Sequence, residues 1–511
     1  MRVIALLAAI SLAQIAVANI VNKACNKNPS TCACTTLSTA LPGRVHFPNS
    51  TEYEISNQYW SNRQAEIHPT CFITPNSTTD VSVILKTLTR LSAPFTVKSG
   101  GHTAFAGSNL VDGITIDLRL LTSITVSPDR RTVYVGAGNR WINISTALDP
   151  LGLAVVGGRV SDPGVGGLIL GGGISYFSGR RGWACDNVRS YEIVLASGAI
   201  VTASPTSHRD LYWSLRGGAG TNFGIVTRFD LVAFEQPTPL WSGSLLFPGS
   251  INTTLLPLYQ NLTVTGLPSD PDAHTYLTSI FLPSLGGYIL LTDQYHATPP
   301  SLSDPSLTPQ VFRPIASLPD PISHTTRLAN LSTLLTAIDQ PYGARQTWWN
   351  TAVRATSPSL LLDILSLHEA HVTRLLAVAN GSGSDTITPF LTFQPIPVNV
   401  LQAMQTNGGN ALGLEPADGP LMIIQSATTW TDKEIDGAVE ASTQKFIDAV
   451  NDLARKRGLD NGFVYMNYAG KGQDVFGSYG RGSRERLRRV AREYDPLGEL
   501  RRLWRGYFKL W

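Results

Sequence analysis

The stretch RDLYWSLRGGAGTNFGIVTRFDLVAF, residues 209–234, decides what kind of fold this chain can have. It carries Gly218-x-Gly220 and later Gly224, a spacing close to the glycine fingerprint of dinucleotide-binding folds. In those folds a strand enters the glycine turn and a helix leaves it, so that the helix N-terminus meets the pyrophosphate. Here the order is reversed: a helical pattern precedes the glycines and a β-branched run follows them. The order argues against a nicotinamide Rossmann site, and no Walker motif occurs elsewhere.

Two further glycine loops lie upstream. FTVKSGGHTAFAGSN, residues 95–109, is a short strand that turns through Ser99, Gly100 and Gly101 and places one of the chain's nine histidines, His102, inside the turn. VGGRVSDPGVGGLILGGGISYFSGRRG, residues 156–182, is denser still in glycine. Glycine lets backbone N–H groups approach a phosphate without a Cβ in the way. Three such loops in one region suggest a large ligand touched from several sides, whereas tight turns alone account for each loop singly. His102 by itself is open to four readings: phosphate cradle, metal ligand, nucleophile or turn residue.

Around these loops the pattern alternates. NSTTDVSVILKTLTRL reads as an amphipathic helix capped by Ser77 and Asp80, with Val81, Ile84, Leu85, Leu88 and Leu91 on one face. NVRSYEIVLASGAIVTAS reads as a hairpin turning at Ser-Gly. From about residue 237 proline, serine and threonine rise, and strand-like AHTYLTSIFLP and GGYILLTDQY alternate with helical SPSLLLDILSLHEAHV and KEIDGAVEASTQKFIDAVNDLARKRG. This is an α+β region with a largely antiparallel sheet. Within it, LHEAH spaces His368 and His371 at i,i+3 rather than the i,i+4 of a zinc protease, so no metal is expected and an exposed helix face suffices. No Gly-x-Ser-x-Gly elbow supports a hydrolase.

At 511 residues, 43% hydrophobic and 15% charged, with a net charge of +3, the chain is an ordinary globular protein with no call for a nucleic-acid partner. Residues 1–18 carry one Arg, an apolar run and a small-x-small ending, the pattern of a secretory signal; no later segment reads as a membrane span. Export fits the cysteines and the sequons. We expect Cys34 to pair with Cys71, leave Cys25 and Cys32 unassigned, and take Cys185 as a buried thiol. Acceptor sequons stand at Asn49, Asn76, Asn143, Asn252, Asn261, Asn330 and Asn380.

Taken in order, KSGGHTAFAGSN, GVGGLILGGGISYFSGRRGWACDNV, SGAIVTAS, RGGAGTNFGIVT, YMNYAGKGQD and YDPLGEL resemble the berberine-bridge-enzyme-like FAD-linked oxidases, in particular their fungal secreted members. The resemblance covers nearly the whole chain after residue 18. It implies an α+β fold of the vanillyl-alcohol-oxidase type, with a PCMH-type FAD-binding domain of two α+β subdomains and a substrate domain whose antiparallel sheet is flanked by helices. On this chain the parts are a cysteine-containing segment 19–63, an FAD domain 64–236, a substrate domain 237–460 and a C-terminal segment 461–511 returning to the flavin.

The resemblance also assigns residues. His102 maps to the histidine bonded to the flavin 8α-methyl, with Ser99, Gly100, Gly101, Thr103 and Ser108 as pyrophosphate donors. Gly166, Gly167, Gly171, Gly172 and Ser175 would line the other side, and Asn187, Gly224, Val226 and Asn467 would reach the adenosine or ring end. A second link through cysteine is impossible, because Val160 occupies that position. Tyr468 is the first candidate for the catalytic base and Tyr465 the second. A tyrosine with a pKa of ~10 is a poor base near neutrality, so it needs a cation, for which Arg181 is the candidate. Pro163 stands where relatives place a residue thought to gate oxygen, which leaves reactivity with O2 open. The implied function is an oxidase, acting as a monomer on an alcohol, sugar or secondary metabolite and returning electrons to O2 as H2O2. A flavin dehydrogenase, an oxidative cyclase and a non-catalytic flavin-binding glycoprotein are the alternatives.

Overall fold

The computed structural model describes residues 25, 27–107, 109, 112–282, 287–379 and 387–511. The expected signal segment, Ser108 and Asn380 lie outside them. Three sheets build the protein. The first is four-stranded, in the order β1 (Val45–His46), β2 (Cys71–Ile73), β4 (Ile114–Asp117), β3 (Phe95–Lys98). β2, β4 and β3 run parallel, so they end at one edge, and the loop carrying His102 leaves that edge directly after Lys98. Ligands of open α/β sheets bind beyond such carboxyl ends.

The helix Thr78–Leu91 packs beside this sheet. Ser77 Oγ accepts the N–H of Asp80 at 3.1 Å while the Asp80 carboxylate accepts that of Asn76 at 3.0 Å, satisfying two otherwise unpaired donors. Val81, Ile84, Leu85 and Leu88 are fully buried on its inner face, and the helix ends where Ser92 turns left-handed.

The second sheet is antiparallel and six-stranded: β5 (Ile124–Val126), β6 (Thr132–Gly136), β10 (Ile225–Glu235), β8 (Val188–Val194) and β9 (Ile200–Ala203) lie in that order, with β7 (Leu153–Val155) on β10. The helix Arg209–Leu215 and the glycine loop precede β10, the helix–loop–strand order read from the sequence. The third sheet is antiparallel with seven strands. Its order is β14 (Ser323–Ala329), β11 (Leu240–Pro248), β13 (Gly287–His296), β12 (Ala273–Leu282), β16 (Ile387–Ile396), β17 (Leu421–Trp430), β15 (Arg345–Arg354). Strand alternation sends Leu277, Leu391, Ile424 and Trp349 under the helices Asn252–Asn261, Pro358–Ala379 and Asp436–Lys456. It leaves Thr278, Thr392, Gln425 and Trp348 on the opposite face.

His368 and His371 are not on an exposed helix face. Both are fully buried between the two long helices, against Phe446, and burial pushes both imidazoles down to about 3. Among the described residues no three His, Cys, Asp or Glu side chains cluster as metal ligands, and no helix is long and apolar enough to cross a membrane. Cys34 pairs with Cys71 as expected, tying the helix Pro29–Ala40 to β2; Cys25 pairs with Cys32, and Cys185 is free and buried. The sequon asparagines 49, 76, 143, 261 and 330 are exposed and Asn252 is half-buried.

Two cations join the layers. Arg216, wholly buried, donates to the carbonyls of Cys185, Thr406, Asn407 and Gly409 and meets the buried Asp186 carboxylate at 3.1 Å. Lys509 donates to the carbonyls of Thr221 (2.8 Å) and Leu500 (3.1 Å), holding the C-terminal strap on the glycine loop before β10. Removing the Arg216 charge strands Asp186 in a dry interior, so Arg216→Met should lose about 3–5 kcal/mol in urea unfolding. Burial depresses Lys509 to about 7. The unfolded chain therefore binds the extra proton between about pH 7 and the ordinary lysine range of ~10.4, and stability contributed at this site rises with pH across that window. The difference in unfolding midpoint between wild type and Lys509→Met should shrink or reverse in sign towards the variant as pH falls from 10 to about 7.

Candidate active site

The three glycine loops converge on one cavity of about 260 Å³. Two of them touch backbone to backbone: a Cβ on Gly100 would sit 2.2 Å from the Gly164 nitrogen, and one on Gly164 would sit 2.2 Å from the Gly100 nitrogen. Ser99 Oγ bridges the same seam, donating to Ala137 O at 2.7 Å and accepting the Gly166 N–H at 3.3 Å. Beyond it the backbone N–H groups of Gly100, Gly101, His102 and Thr103 have no acceptor among the described residues. The lining there contains no Asp or Glu. A row of free N–H donors on a concave, acid-free wall fits a pyrophosphate.

His102 stacks on Trp60 with ring centroids 4.2 Å apart and planes 8° from parallel, and Trp348 lies 6.0 Å away. Burial first, with a lesser push from Arg140, lowers its pKa to about 3. The imidazole is therefore neutral and has a lone pair available at physiological pH.

The opposite wall comes from the turn Met466–Tyr468. Asn350 on β15 pins it, accepting the Tyr465 N–H at 2.8 Å and donating to the Tyr465 carbonyl at 3.0 Å. The hydroxyl of Tyr465 accepts from Gly173 N–H (3.1 Å), Ile174 N–H (3.3 Å) and Asn467 Nδ2 (2.9 Å), while Asn467 also donates to Leu168 O. Burial raises the Tyr465 pKa well above the ordinary value. Tyr465 thus braces the glycine loop, and its oxygen is occupied. Tyr468 is different. Its oxygen accepts a 2.6 Å bond from Arg159 Nη2, its own proton has no acceptor among the described residues, and its ring stands edge-on to Trp348 at 5.5 Å.

The structure brings most of the sequence-derived residues to this cavity. His102, Ser99, Gly100, Gly101 and Thr103 line one side, Gly166, Gly167 and Gly171 a second, and Gly224, Val226, Asn467, Tyr465 and Tyr468 the remainder. Val160 and Pro163 line it too.

Four of the expected residues do not line the cavity. Arg181 does not line the cavity; its guanidinium lies 3.8 Å over the Phe234 ring, and the cation beside Tyr468 is Arg159. Ser175 holds a turn, accepting the N–H of Gly157 and of Phe177. Asn187 donates to the carbonyls of Arg181 and Trp183. Gly172 backs onto Trp183 and Tyr465 rather than the cavity.

The sequence does not single out Arg159, Trp348, Trp504 and Tyr507, which line the cavity, or Trp60, which stacks on His102. The one available signal is Arg159 itself, a cation between Gly158 and Val160 at the start of the glycine-rich run.

Residues 69–204 match the family described as FAD binding domain. The chain is 35% identical to the FAD-dependent monooxygenase tpcD of Cochliobolus heterostrophus, over 94% of each chain. It is 34% identical to the FAD-dependent monooxygenase FUP4 of Fusarium proliferatum, over 89% of this chain and 88% of the other. In fold it is similar to BBE-like 1 of Physcomitrella patens (TM-score 0.74, 18% identity, 91% and 97% of the two chains). It is also similar to a xylooligosaccharide oxidase of Myceliophthora thermophila (TM-score 0.71, 21% identity, 92% and 98%).

The Gly100–Gly164 contact yields a direct test. Gly100→Ala should fold with its disulfides intact yet purify without flavin absorbance, whereas Gly167→Ala, whose Cβ meets no protein atom within 4 Å, should fold normally and be affected only through the ligand. The glycine cradle, the acid-free wall and the full-length relatives agree, and the chain belongs to the berberine-bridge-enzyme-like family of FAD-linked oxidoreductases.

Proposed function

We propose that this protein is a secreted oxidase that takes a hydride and a proton, two electrons and two protons in all, from an alcohol, sugar or secondary-metabolite substrate and returns them to O2 as H2O2. The observation that carries the reading is the 2.6 Å bond from Arg159 to the Tyr468 hydroxyl on the same cavity as His102. FAD held there supplies a two-electron acceptor. The loop Ser99–Thr103 would hold its pyrophosphate and His102 would tether its ring through the 8α position. With Val160 in place of a thiol, His102 is the single covalent anchor.

Tyr468 then acts on the substrate. With Arg159 donating to its oxygen, the phenolate has a fixed cation beside it, and the oxygen takes the proton of a substrate hydroxyl. Tyr465 cannot share this role, since three donors already occupy its oxygen. The disulfides and exposed sequons support an extracellular glycoprotein.

The relatives' description as monooxygenases favours a second reading, in which one atom of O2 enters the product. Measuring H2O2 released per product, together with product mass under 18O2, separates the two. One peroxide per product without label supports the oxidase, and label without peroxide supports the monooxygenase.

Two variants test the site. After acid denaturation, flavin should stay on the wild-type polypeptide and leave His102→Ala; release from wild type refutes the tether. Tyr468→Phe should keep its flavin and lose about 10²–10⁴-fold in kcat, while an unchanged kcat removes Tyr468 from the chemistry.

A further inference from the structure

Arg159 stands at the junction of the cavity with the open face of the seven-stranded sheet, and its hydrogen bonds can be counted. A guanidinium has five N–H donors. Nη1 donates to His274 Nε2 at 2.9 Å and to Gln394 Oε1 at 2.6 Å, and Nη2 donates once, to Tyr468. The Nε–H and one Nη2–H have no acceptor among the described residues. These two belong to neighbouring nitrogens of the guanidinium plane, whose N–H groups are the donors that carboxylate oxygens meet.

Of the three partners neither His274 nor Gln394 brings a negative charge, and Tyr468, acting as the base, gives up its charge when it takes the substrate's proton. Burial, reinforced by Arg159 itself, keeps His274 far below its usual pKa, so it is an uncharged acceptor. No carboxylate lies within salt-bridge distance of Arg159 among the described residues. The groups around it are Tyr276, whose ring centre is 5.0 Å from the guanidinium carbon, Tyr176, whose hydroxyl donates to the Arg159 carbonyl, and Gln394, while the buried Asp293 carboxylate attracts it through space without bonding to it. A half-buried guanidinium with no carboxylate bonded to it and two unfilled N–H groups is suited to an anion that arrives with the ligand.

The contrast with Lys98 makes the point. That lysine also lines the cavity, but it is committed to the carbonyls of Ser56 and Gln58 and lies 3.8 Å from the buried Asp117 carboxylate. Among the described residues no carboxylate comes that close to Arg159; Asp293 attracts it only from a distance.

We propose that the free N–H groups of Arg159 bind an anionic oxygen group on the substrate. The natural substrate then carries a carboxylate or an ionised enol or phenol, conjugated to a flat ring, close to the position that is oxidised. The inference rests on the reading of Tyr468 as the base, because the same guanidinium would hold the base with one N–H and the substrate with its free N–H groups. A ring suits the site because Trp348, which stands edge-on to Tyr468, lines the cavity with its aromatic surface. The hydroxyls of Thr278 and Thr392, 3.1 Å apart, offer neutral hydrogen bonding further along the open sheet face.

Binding, not turnover, provides the test. The flavin-loaded full chain is titrated calorimetrically with benzoate, with 4-nitrophenolate at pH 8, and with neutral, similarly shaped benzamide. Benzoate or 4-nitrophenolate should bind about 10–100-fold more tightly than benzamide, and whichever anion is preferred tells a carboxylate from a phenolate. The preference should vanish in Arg159→Gln, persist in part in Arg159→Lys and survive Tyr468→Phe. Equal affinity of the wild type for the anions and benzamide overturns the proposal, and so does an anion preference that survives Arg159→Gln in a protein that keeps its flavin spectrum. Failure of Tyr468 as the base would show separately, as unchanged turnover in Tyr468→Phe.

Discussion

Where Gly100 meets Gly164, main chain packs on main chain with no room for a side chain on either residue. The contact fixes the distance between the loop that leaves β3 and the loop that leads into the helix Val165–Leu170, and so the width of the cavity between them. Everything that acts in the site is referenced to this seam. Ser99 bridges it, the free N–H row from Gly100 to Thr103 begins at it, and His102 is carried just past it. The third wall is tied to the same assembly: the Asn467 carboxamide lies where a Gly171 Cβ would be, 2.1 Å from it, so that turn too approaches a glycine that cannot be replaced.

A seam of this kind has little apolar surface of its own, so its rigidity has to come from behind it. Buried polar groups supply part of that support. Arg216 fastens the helix end before the third glycine loop to the Cys185–Asp186 segment and to the carbonyls of Thr406, Asn407 and Gly409 from the substrate layer. Asn350 and Gln473 fasten the Tyr465–Tyr468 turn to β15. Such groups are strongly bound only when every partner is present, which makes the cavity walls a single cooperative unit rather than three independent loops.

What was legible in the sequence was local. The cap at Ser77, the helix–loop–strand order around Gly218–Gly224, and the strand ending at Lys98 are set by residues within a few positions of each other, and the structure has them. The choice between Arg159 and Arg181 was not local. Both lie in one glycine-rich run, and only the packing decides that one guanidinium reaches Tyr468, 309 positions away, while the other covers Phe234. Ser175 and Asn187 carry the polar atoms expected of cofactor ligands, but turn geometry claims those atoms for backbone groups nearby. The two helical histidines could be read as exposed from their spacing; the second long helix, distant in sequence, buries them.

The charges around the cavity complete the account of what it can hold. Its lining offers two formal cations and no carboxylate among the described residues. Lys98 is bound into the N-terminal segment and compensated by Asp117, so its charge stabilises the wall rather than a ligand. The backbone N–H groups from Gly100 to Thr103 carry only partial charges, so a pyrophosphate held there would keep its negative charge largely intact. Arg159 stands apart from that row, with Tyr468 on one N–H and two N–H groups unfilled. Neutral amide donors and a full positive charge are therefore separated in space, the first on the loop after β3 and the second beside the Met466–Tyr468 turn.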